Sequence, residues 1–148
     1  LLHDELTTEV IADGFHLHPA IIRLAVKCKG PDRVCLVSDS MKGVGLPDGE
    51  YLIGGQECLV RNGIALIKDR PEVIASSVTP LSGMLRFAHQ KTGLSPTDAW
   101  TMASLTPAEI IGFSTRKGSL GPGKDADLLL LDNDLQVKGV YAKGQKII

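Results

Sequence analysis

The sequence has 148 residues, of which 43% are hydrophobic and 22% are charged. This composition supports one buried core and excludes a fibre or a disordered tail. Sixteen basic and seventeen acidic side chains give a formal net charge of -1 and are scattered along the chain, which argues against a nucleic-acid partner. No apolar run approaches the roughly 20 residues that span a bilayer, and the first residues do not form a secretory signal, so we expect no membrane partner.

The three cysteines, Cys28, Cys35 and Cys58, are odd in number, distant in sequence and surrounded by apolar residues. This arrangement is typical of buried thiols in a reducing compartment and not of a disulfide framework. We therefore predict a cytoplasmic protein. The chain begins at Leu1 and not at a methionine, so we also expect it to be a piece of a longer polypeptide.

Two short apolar segments predict buried parallel strands that end in polar or glycine-containing loops. The first is EVIADGFHLHP (9–19) and the second is RVCLVSDSMKGVG (33–45). Between them Pro19 can begin a helix, whose apolar residues recur at helical spacing as far as Gly30. Strand, loop, helix and strand together predict a βαβ unit with functional groups at the strand ends.

Residues 49–69 differ in character, because short β-type runs are broken by Gly54-Gly55 and by Asn62-Gly63. Asn-Gly is a strong signal for a type I′ turn between antiparallel strands. The pattern therefore predicts a β-hairpin insertion over about 49–69, placed in the loop that follows the second strand.

Three helices are predicted after the segment EVIASSVTP (72–80). Apolar residues follow helical spacing from Leu81 until Gly93 ends the first helix. The second and third helices are predicted to begin at Ser95 and Thr106, since each of these residues is followed by a proline and then, at the third position, by an acid.

The carboxyl-terminal segment is predicted to be β-structure, with strands over 128–131 and within 137–148. The preceding glycines Gly118, Gly121 and Gly123 are loop glycines whose spacing does not match a phosphate-binding P-loop. The whole pattern predicts an α/β fold with about three βα units in parallel arrangement. A complete eightfold barrel needs roughly 250 residues, so this chain can supply less than half of one.

Two histidines follow the first predicted strand. His16 and His18 are separated by one residue, so in an extended segment both side chains point to the same side. The pair can contribute to a metal site, which needs at least one further strong ligand. One histidine can instead bind an anion beside a helix amino terminus. In the third interpretation, one lines a polar pocket and the other caps the following helix or packs against the loop.

Asp39 is the stronger candidate for catalysis, because it follows a buried apolar run and precedes a glycine-containing loop. An acid at the carboxyl end of a parallel strand can act there as a general base. Alternatively, Asp39 caps the next element or pairs with Lys42. Asp13 also ends a strand, although Asp-Gly is a plain turn signal. Ser76 and Ser77 either form a polar turn or contact a ligand through their backbone amides.

Five motifs are found in the order ADGFHLHP, LVSDSM, IASSVTP, MASLTPAEIIG and KGSLGPGKDADLLLLD. In this order and at these separations they resemble the carboxyl-terminal half of the N-acetylglucosamine-6-phosphate deacetylases, a family of the amidohydrolase superfamily. The resemblance covers nearly the whole chain. The last motif is widespread among amidohydrolases, whereas DGxHxHP combined with LVSD and the hairpin insertion is much more particular to the deacetylases.

This resemblance implies a fold and a reaction. The fold is a (β/α)8 TIM barrel with a small β-sandwich domain, of which this chain supplies the C-terminal part. Residues 1–124 would form the last barrel units with the hairpin insertion, and residues 125–148 would form terminal strands of the sandwich. The reaction is metal-dependent hydrolysis of the acetamide of N-acetylglucosamine 6-phosphate to glucosamine 6-phosphate and acetate, in amino-sugar catabolism.

The resemblance also implies roles for individual residues. Asp39 would be the catalytic acid/base, which takes a proton from the attacking water and delivers it to the leaving amine. His16 would help to hold the phosphate, whereas the role of His18 stays open. The implied substrate-binding residues are Asp13, Gly14, Phe15, His16, Ile74, Ala75 and Ser76. The family commonly has glycine at the position of Ser76.

In the family, a divalent metal, zinc or a similar ion, is held by a glutamate and two histidines from strands that would precede Leu1. No residue of this chain is assigned as a metal ligand, so we expect the chain by itself to bind no metal and to be inactive. Unpaired strand edges of an open barrel would favour association, and a homo-oligomer is expected. The alternatives are another amidohydrolase, such as a dihydroorotase-like or dipeptidase-like hydrolase, and a noncatalytic module that self-associates.

Overall fold

The computed structural model of the chain describes residues 1–148 as a mixed α/β fold with three sheets. The elements in chain order are β1 (Thr8–Val10), α1 (Pro19–Lys29), β2 (Val34–Leu36), β3 (Gly49–Ile53), β4 (Gln56–Arg61), β5 (Ile64–Ile67), β6 (Arg70–Ser77), α2 (Leu81–Thr92), α3 (Pro96–Trp100), a π-helical segment (Thr101–Leu105), α4 (Thr106–Ile110), β7 (Leu128–Leu131), β8 (Val137–Ala142) and β9 (Gln145–Lys146). None of the helices combines the length and apolarity required to traverse a bilayer.

β1 and β2 are parallel neighbours that pair Thr8 with Val34 and Val10 with Leu36. The chain between them forms α1, which ends at Gly30 with a positive φ of 80°. Glycine adopts this backbone conformation without a steric cost. The predicted βαβ unit is therefore present in the structure.

The main core forms where α1, α2 and the π-helical segment pack against β2. Its largest fully buried side chains are those of Ile22, Met84 and Met102. Each such side chain contributes roughly 1.5–3 kcal/mol through its removal from water. Because Val10 and Leu36 belong to the same cluster, the core holds the carboxyl ends of β1 and β2 in place.

The predicted hairpin insertion is a four-stranded antiparallel sheet in the order β3-β4-β5-β6. Asn62 and Gly63 join β4 to β5, and both have positive φ, as a type I′ turn requires. The predicted bounds of 49–69 are too short, because the chain returns as β6, which pairs with β5 before it reaches the parallel strands. There Ser77 forms a parallel bridge with Ser40. A second buried cluster belongs to this sheet and the loop before it, and consists of Met41, Cys58, Val60 and Ala65.

The two helix starts predicted at Ser95 and Thr106 have different outcomes. Ser95 caps α3, since its hydroxyl accepts a hydrogen bond from the N–H of Asp98 at 3.0 Å. α4 begins at Thr106, as predicted, but Thr106 does not cap it, and that part of the prediction is wrong: its backbone is already helical, and its hydroxyl donates to the carbonyl of Pro31 at 2.8 Å. The wider π turn before Pro107 leaves room for a proline inside a continuous helical run.

β7, β8 and β9 form an antiparallel sheet, so the predicted terminal β-structure is present. The loop that leads into it is held by the ammonium group of Lys117, which pairs with the carboxylates of Asp125 and Asp127. Gly118 in this loop has a φ of +85°, and a Cβ at this position would lie 2.7 Å from the Cβ of Ala108. The loop therefore packs against α4 through a glycine that no larger residue can replace without movement.

All three cysteines are free thiols. Cys35 and Cys58 are buried, as predicted, whereas Cys28 is exposed, so the prediction of a buried thiol is wrong there. Cys28 lies two residues after the buried Val26, which places it about 200° further around the axis of α1 and on its outer face. An apolar neighbourhood in sequence was therefore a poor guide to burial.

Candidate functional site

The loops after β1 and β2 lie at the same edge of the parallel pair, because parallel neighbours direct their carboxyl ends the same way. β6 reaches this edge through the bridge between Ser40 and Ser77. The structure therefore brings together the segments that carry Asp13, His16 and Asp39 with the end of β6. Such an edge is where α/β folds bind their ligands.

Asp13 forms a closed hydrogen-bonded unit with the residues that follow it. One carboxylate oxygen, Oδ1, accepts the backbone N–H groups of Phe15 and His16, each at 3.0 Å. The other, Oδ2, lies 2.8 Å from Nδ1 of the His16 ring. The side chain of Asp13 is only 2% exposed, whereas that of His16 is 20% exposed. The loop thus buries the acid and leaves part of the imidazole accessible.

Two opposing effects act on the pKa of Asp13. Burial of the carboxyl favours its neutral form and raises the pKa, but hydrogen bonds from the backbone N–H groups of His16 and Phe15 and from the His16 ring favour the carboxylate. The net result is a pKa below the ordinary value for aspartate. Asp13 is therefore a carboxylate at neutral pH.

His18 has a structural role. Its Nδ1 accepts a hydrogen bond from the N–H of Ala20 at 3.2 Å and caps the amino terminus of α1, just before Pro19. This is the capping interpretation that the sequence left open. Because His16 bonds to Asp13 instead, the two histidines have different partners.

Asp39 is exposed at the end of β2, and its backbone has a positive φ of 42°. This left-handed conformation is uncommon outside glycine, although aspartate and asparagine adopt it more readily than other residues. The carbonyl of Asp39 accepts a hydrogen bond from the N–H of Ser77 at 3.1 Å and a second from the hydroxyl of Ser76. Its carboxylate forms neither the cap nor the ion pair with Lys42 that the sequence allowed, so both oxygens are free for a ligand.

Ile74, Ala75 and Ser76 lie near the carboxyl end of β6 and are half-buried. Ile74 pairs with Leu66 of β5, while Ala75 packs against the small buried cluster of the insertion sheet. The hydroxyl of Ser76 is used to hold the loop of Asp39. This hydrogen bond gives Ser76 a local role that a glycine could not perform.

Gly14 and Phe15 connect the first loop to two distant parts of the chain. A Cβ on Gly14, whose φ is +87°, would lie 2.7 Å from the ring of Phe87 in α2. The ring of Phe15 is 44% exposed and lies against Gly63, at the turn between β4 and β5. The insertion sheet therefore borders the candidate site.

The contribution of Phe87 to this site was missed in the sequence. Its position three residues after Met84 places it toward the buried face of α2, so a signal for inward packing exists. Nothing local in the sequence pairs it with Gly14, which is 73 positions away. The contact depends on the packing of α2 beside the first loop.

The described residues do not contain a group of three or more histidine, cysteine, aspartate or glutamate side chains that could hold a metal ion. The only two such side chains in contact at this edge, Asp13 and His16, bond to each other. The donor set of this chain therefore does not fit a complete metal site.

The model of the amidohydrolase family matches residues 2–147. An N-acetylglucosamine-6-phosphate deacetylase of Bacillus subtilis (strain 168) is 40% identical over 144 residues, which are 97% of this chain and 36% of that protein. An N-acetylgalactosamine-6-phosphate deacetylase of Escherichia coli O157:H7 is 36% identical over 137 residues, which are 93% of this chain and 36% of that protein.

One solved structure is that of a Mycobacterium smegmatis N-acetyl-D-glucosamine-6-phosphate deacetylase mutant in complex with N-acetyl-D-glucosamine-6-phosphate. It superposes on this chain with a TM-score of 0.91 at 32% identity, and the match covers 99% of this chain and 39% of that one. The chain thus spans between 36% and 39% of the length of these three proteins.

Proposed function

The chain belongs to the amidohydrolase family, and from this membership we propose that it supplies the acid/base and an anion-binding histidine to an N-acetylglucosamine-6-phosphate deacetylase. The reaction hydrolyses the acetamide of N-acetylglucosamine 6-phosphate to glucosamine 6-phosphate and acetate. The observation that carries the proposal is the free carboxylate of Asp39 at the same edge as His16, in a chain whose relatives are named as phosphosugar deacetylases.

The fold proposal follows the same reasoning. Residues 1–124 form the last βα units of a (β/α)8 barrel. β1, β2 and the carboxyl-terminal end of β6 are its strands. Residues 125–148 form terminal strands of a small β-sandwich. The parallel pairing of β1 with β2 and the antiparallel pairing of β7, β8 and β9 support this division.

Asp39 acts as the general acid/base in this proposal. Its carboxylate accepts a proton from the attacking water while the new C–O bond forms at the acetamide carbon. The same group then returns the proton to the nitrogen as the C–N bond breaks and the amine leaves. The two hydrogen bonds on its carbonyl hold the backbone while the carboxylate stays free for this exchange.

His16 holds the 6-phosphate, because its ring is partly exposed and only its Nδ1 is engaged within the chain. Gly14 and Phe15 complete this side of the substrate pocket, with the ring of Phe15 as an apolar wall. Ile74, Ala75 and Ser76 line the sugar from the opposite strand. Asp13 belongs to the same segment, and its part is argued below.

Amidohydrolases are generally metal-dependent. A bound divalent ion would supply Lewis-acid activation of the water and the carbonyl. Asp39 is one oxygen donor and does not make a site alone, so ligands from outside the described residues are needed. We therefore assign no metal ligand within this chain.

N-acetylgalactosamine 6-phosphate is a second candidate substrate, since the relative from Escherichia coli O157:H7 is named for it at 36% identity. The two sugars differ only in the configuration at C4, and the reacting acetamide and the phosphate are the same. The roles of Asp39 and His16 are therefore unchanged in this alternative. A homo-oligomer in the cytoplasm is the proposed state of the enzyme, and it rests on the sequence alone.

The test is a deacetylation assay with the polypeptide encoded by the complete gene that contains this sequence, in the presence of a divalent metal. Both phosphosugars and unphosphorylated N-acetylglucosamine are compared, with the 148-residue chain assayed in parallel. We expect activity on a phosphosugar, a much weaker reaction without the phosphate, and none from the 148-residue chain. Equal rates with and without the phosphate would contradict the anion-binding role, and no release of acetate from either phosphosugar would overturn the function.

A further inference from the structure

Asp13 lies at the candidate site, but both of its oxygens are engaged within the loop and buried away from a ligand. Its Oδ1 accepts two backbone N–H groups and its Oδ2 contacts the His16 ring, while its side chain is 2% exposed. A residue that binds substrate directly needs an accessible polar atom. The geometry of Asp13 instead suits a residue that acts through its neighbour.

We propose that Asp13 is a positioning residue, which orients the ring of His16 and places a proton on Nδ1, so that Nε2 is the ring atom presented to the substrate. This inference rests on the proposed function of His16. It separates the two residues, since His16 contacts the phosphosugar and Asp13 does not.

The proton on Nδ1 follows from the chemistry of the pair. A carboxylate can only accept hydrogen bonds, so a 2.8 Å contact between Oδ2 and Nδ1 requires the hydrogen to be on the nitrogen. A neutral ring then has its lone pair on Nε2. A carboxylate or carbonyl that accepts from one imidazole nitrogen is a general way to select the state of the other.

The orientation of the ring follows from the other carboxylate oxygen. Oδ1 is held by the N–H groups of Phe15 and His16, so the carboxylate cannot rotate away without the loss of two hydrogen bonds. The loop that begins at Gly14 thus fixes the acid, and the acid fixes the ring. His16 needs no other partner to hold it.

Nε2 of His16 has no hydrogen-bond partner within the chain, and the ring is 20% exposed. With the ring neutral, Nε2 can accept a hydrogen bond from a hydroxyl group. With the ring protonated, both nitrogens donate, one to Asp13 and one to a phosphate oxygen. The second state is the one that a phosphosugar would stabilise.

The primary test is ¹⁵N NMR of the histidine rings in the polypeptide encoded by the complete gene, at a pH where the rings are neutral, because the acceptor nitrogen of an imidazole resonates well downfield of the protonated one. We expect His16 to carry its proton on Nδ1. In the Asp13→Asn variant, Oδ1 of the amide keeps the two backbone N–H groups and its NH₂ group faces Nδ1. This change shifts the tautomer ratio toward the proton on Nε2 by about tenfold or more, because the bond that is lost is one to a charged carboxylate, which is stronger than an ordinary hydrogen bond.

Asp39→Asn is the matched control, since it removes the charge of the other strand-end acid and does not touch His16. It should leave the His16 tautomer unchanged. A wild-type ring with its proton on Nε2 would overturn the proposal, and this measurement needs no variant to fold. An unchanged tautomer in a folded Asp13→Asn variant would overturn it equally.

A kinetic arm separates this proposal from the proposed function. In the polypeptide of the complete gene, Asp13→Asn should raise the KM for the phosphosugar about tenfold with little change in kcat, whereas Asp39→Asn should lower kcat. If the His16 tautomer is as expected but KM does not change, His16 does not bind the phosphosugar. Asp13 then orients the ring of His16 without any effect on substrate binding. If KM rises but the proton of the wild-type ring is on Nε2, the proposed function of His16 is retained and the positioning role of Asp13 is rejected.

Discussion

The hydroxyl of Ser76 donates a hydrogen bond to the main-chain carbonyl of Asp39. The neighbouring N–H of Ser77 donates to the same oxygen at 3.1 Å. These two bonds join the end of β6 to the loop after β2, at the residue whose backbone has a positive φ. The position of the proposed acid/base therefore depends on a strand that comes from the insertion sheet.

Replacement of Ser76 by alanine removes one of the two donors to the Asp39 carbonyl. We expect kcat for phosphosugar deacetylation to fall about fivefold, the equivalent of one ordinary hydrogen bond of about 1 kcal/mol. Ser82→Ala is the matched control, since Ser82 is half-buried in α2 and makes no side-chain hydrogen bond. Equal kcat values for Ser76→Ala and the wild type would show that the Ser77 bond alone is sufficient.

Replacement of Asp39 by asparagine keeps the shape of the side chain and removes its ability to take a proton. A general acid/base contributes about 10² to 10⁴ in rate, so a loss of this size in kcat is expected. Asp134→Asn, a change at an exposed aspartate near the terminal sheet, serves as the control for lost charge. Comparable kcat values for the two variants would remove Asp39 from the mechanism.

The positive φ of Asp39 predicts an unusual order of stability among variants without its carboxylate. In the left-handed region alanine costs roughly 1–2 kcal/mol, whereas glycine pays no steric cost. We therefore expect Asp39→Gly to be more stable than Asp39→Ala by about 1 kcal/mol, as measured by urea unfolding. The opposite order would mean that this residue is not left-handed in solution.

Asp13 makes the fold sensitive to acid. Its pKa is lowered in the folded chain, so its contribution to stability is complete above the ordinary aspartate value of about 4 and is lost as the pH falls below that value. Asp13→Asn should cost roughly 1–3 kcal/mol at pH 7 and should flatten this part of the pH dependence. The measurement is urea unfolding from pH 7 to pH 3, and parallel curves for the two proteins would contradict the assignment.

Gly118 and Gly123 offer a matched pair for the cost of close packing. Both have positive φ, of 85° and 83°, but a Cβ on Gly118 would lie 2.7 Å from Ala108 and 2.9 Å from the carbonyl of Ser104, while Gly123 has open space. Alanine at either position bears the backbone cost of roughly 1–2 kcal/mol. Only Gly118→Ala adds overpacking, of about 1–3 kcal/mol. Equal losses in thermal or urea unfolding would refute the packing argument.

Local patterns predicted much of the fold. Helical spacing and the stop at Gly93 gave α2, and Asn62-Gly63 gave a hairpin turn whose backbone angles match. A helix begins at Thr106 as predicted, but the predicted cap is wrong, because the Thr106 side chain satisfies a carbonyl 75 positions away at Pro31 and so is not available as a cap. A capping motif read locally cannot reveal a competing partner from another part of the chain.

The candidate site was predictable as a set of positions and not as a set of contacts. Strand-end location identified Asp13, His16 and Asp39, which the structure places at one edge. The burial of Asp13 and the bond from Ser76 to Asp39 depend on loop geometry and on pairing between distant segments. These features carry the chemistry of the site, and periodicity contains no information on them.

β6 belongs to two sheets, since it pairs antiparallel with β5 and ends in the parallel bridge of Ser77 with Ser40. The insertion consequently cannot be deleted as a whole without loss of a strand that contacts the parallel pair. Shortening the hairpin at Asn62 and Gly63 leaves the strand intact, but a deletion that reaches its carboxyl end removes a wall of the site. We therefore expect the hairpin tip to tolerate changes in sequence and length, whereas the carboxyl end of β6 in the same insertion does not.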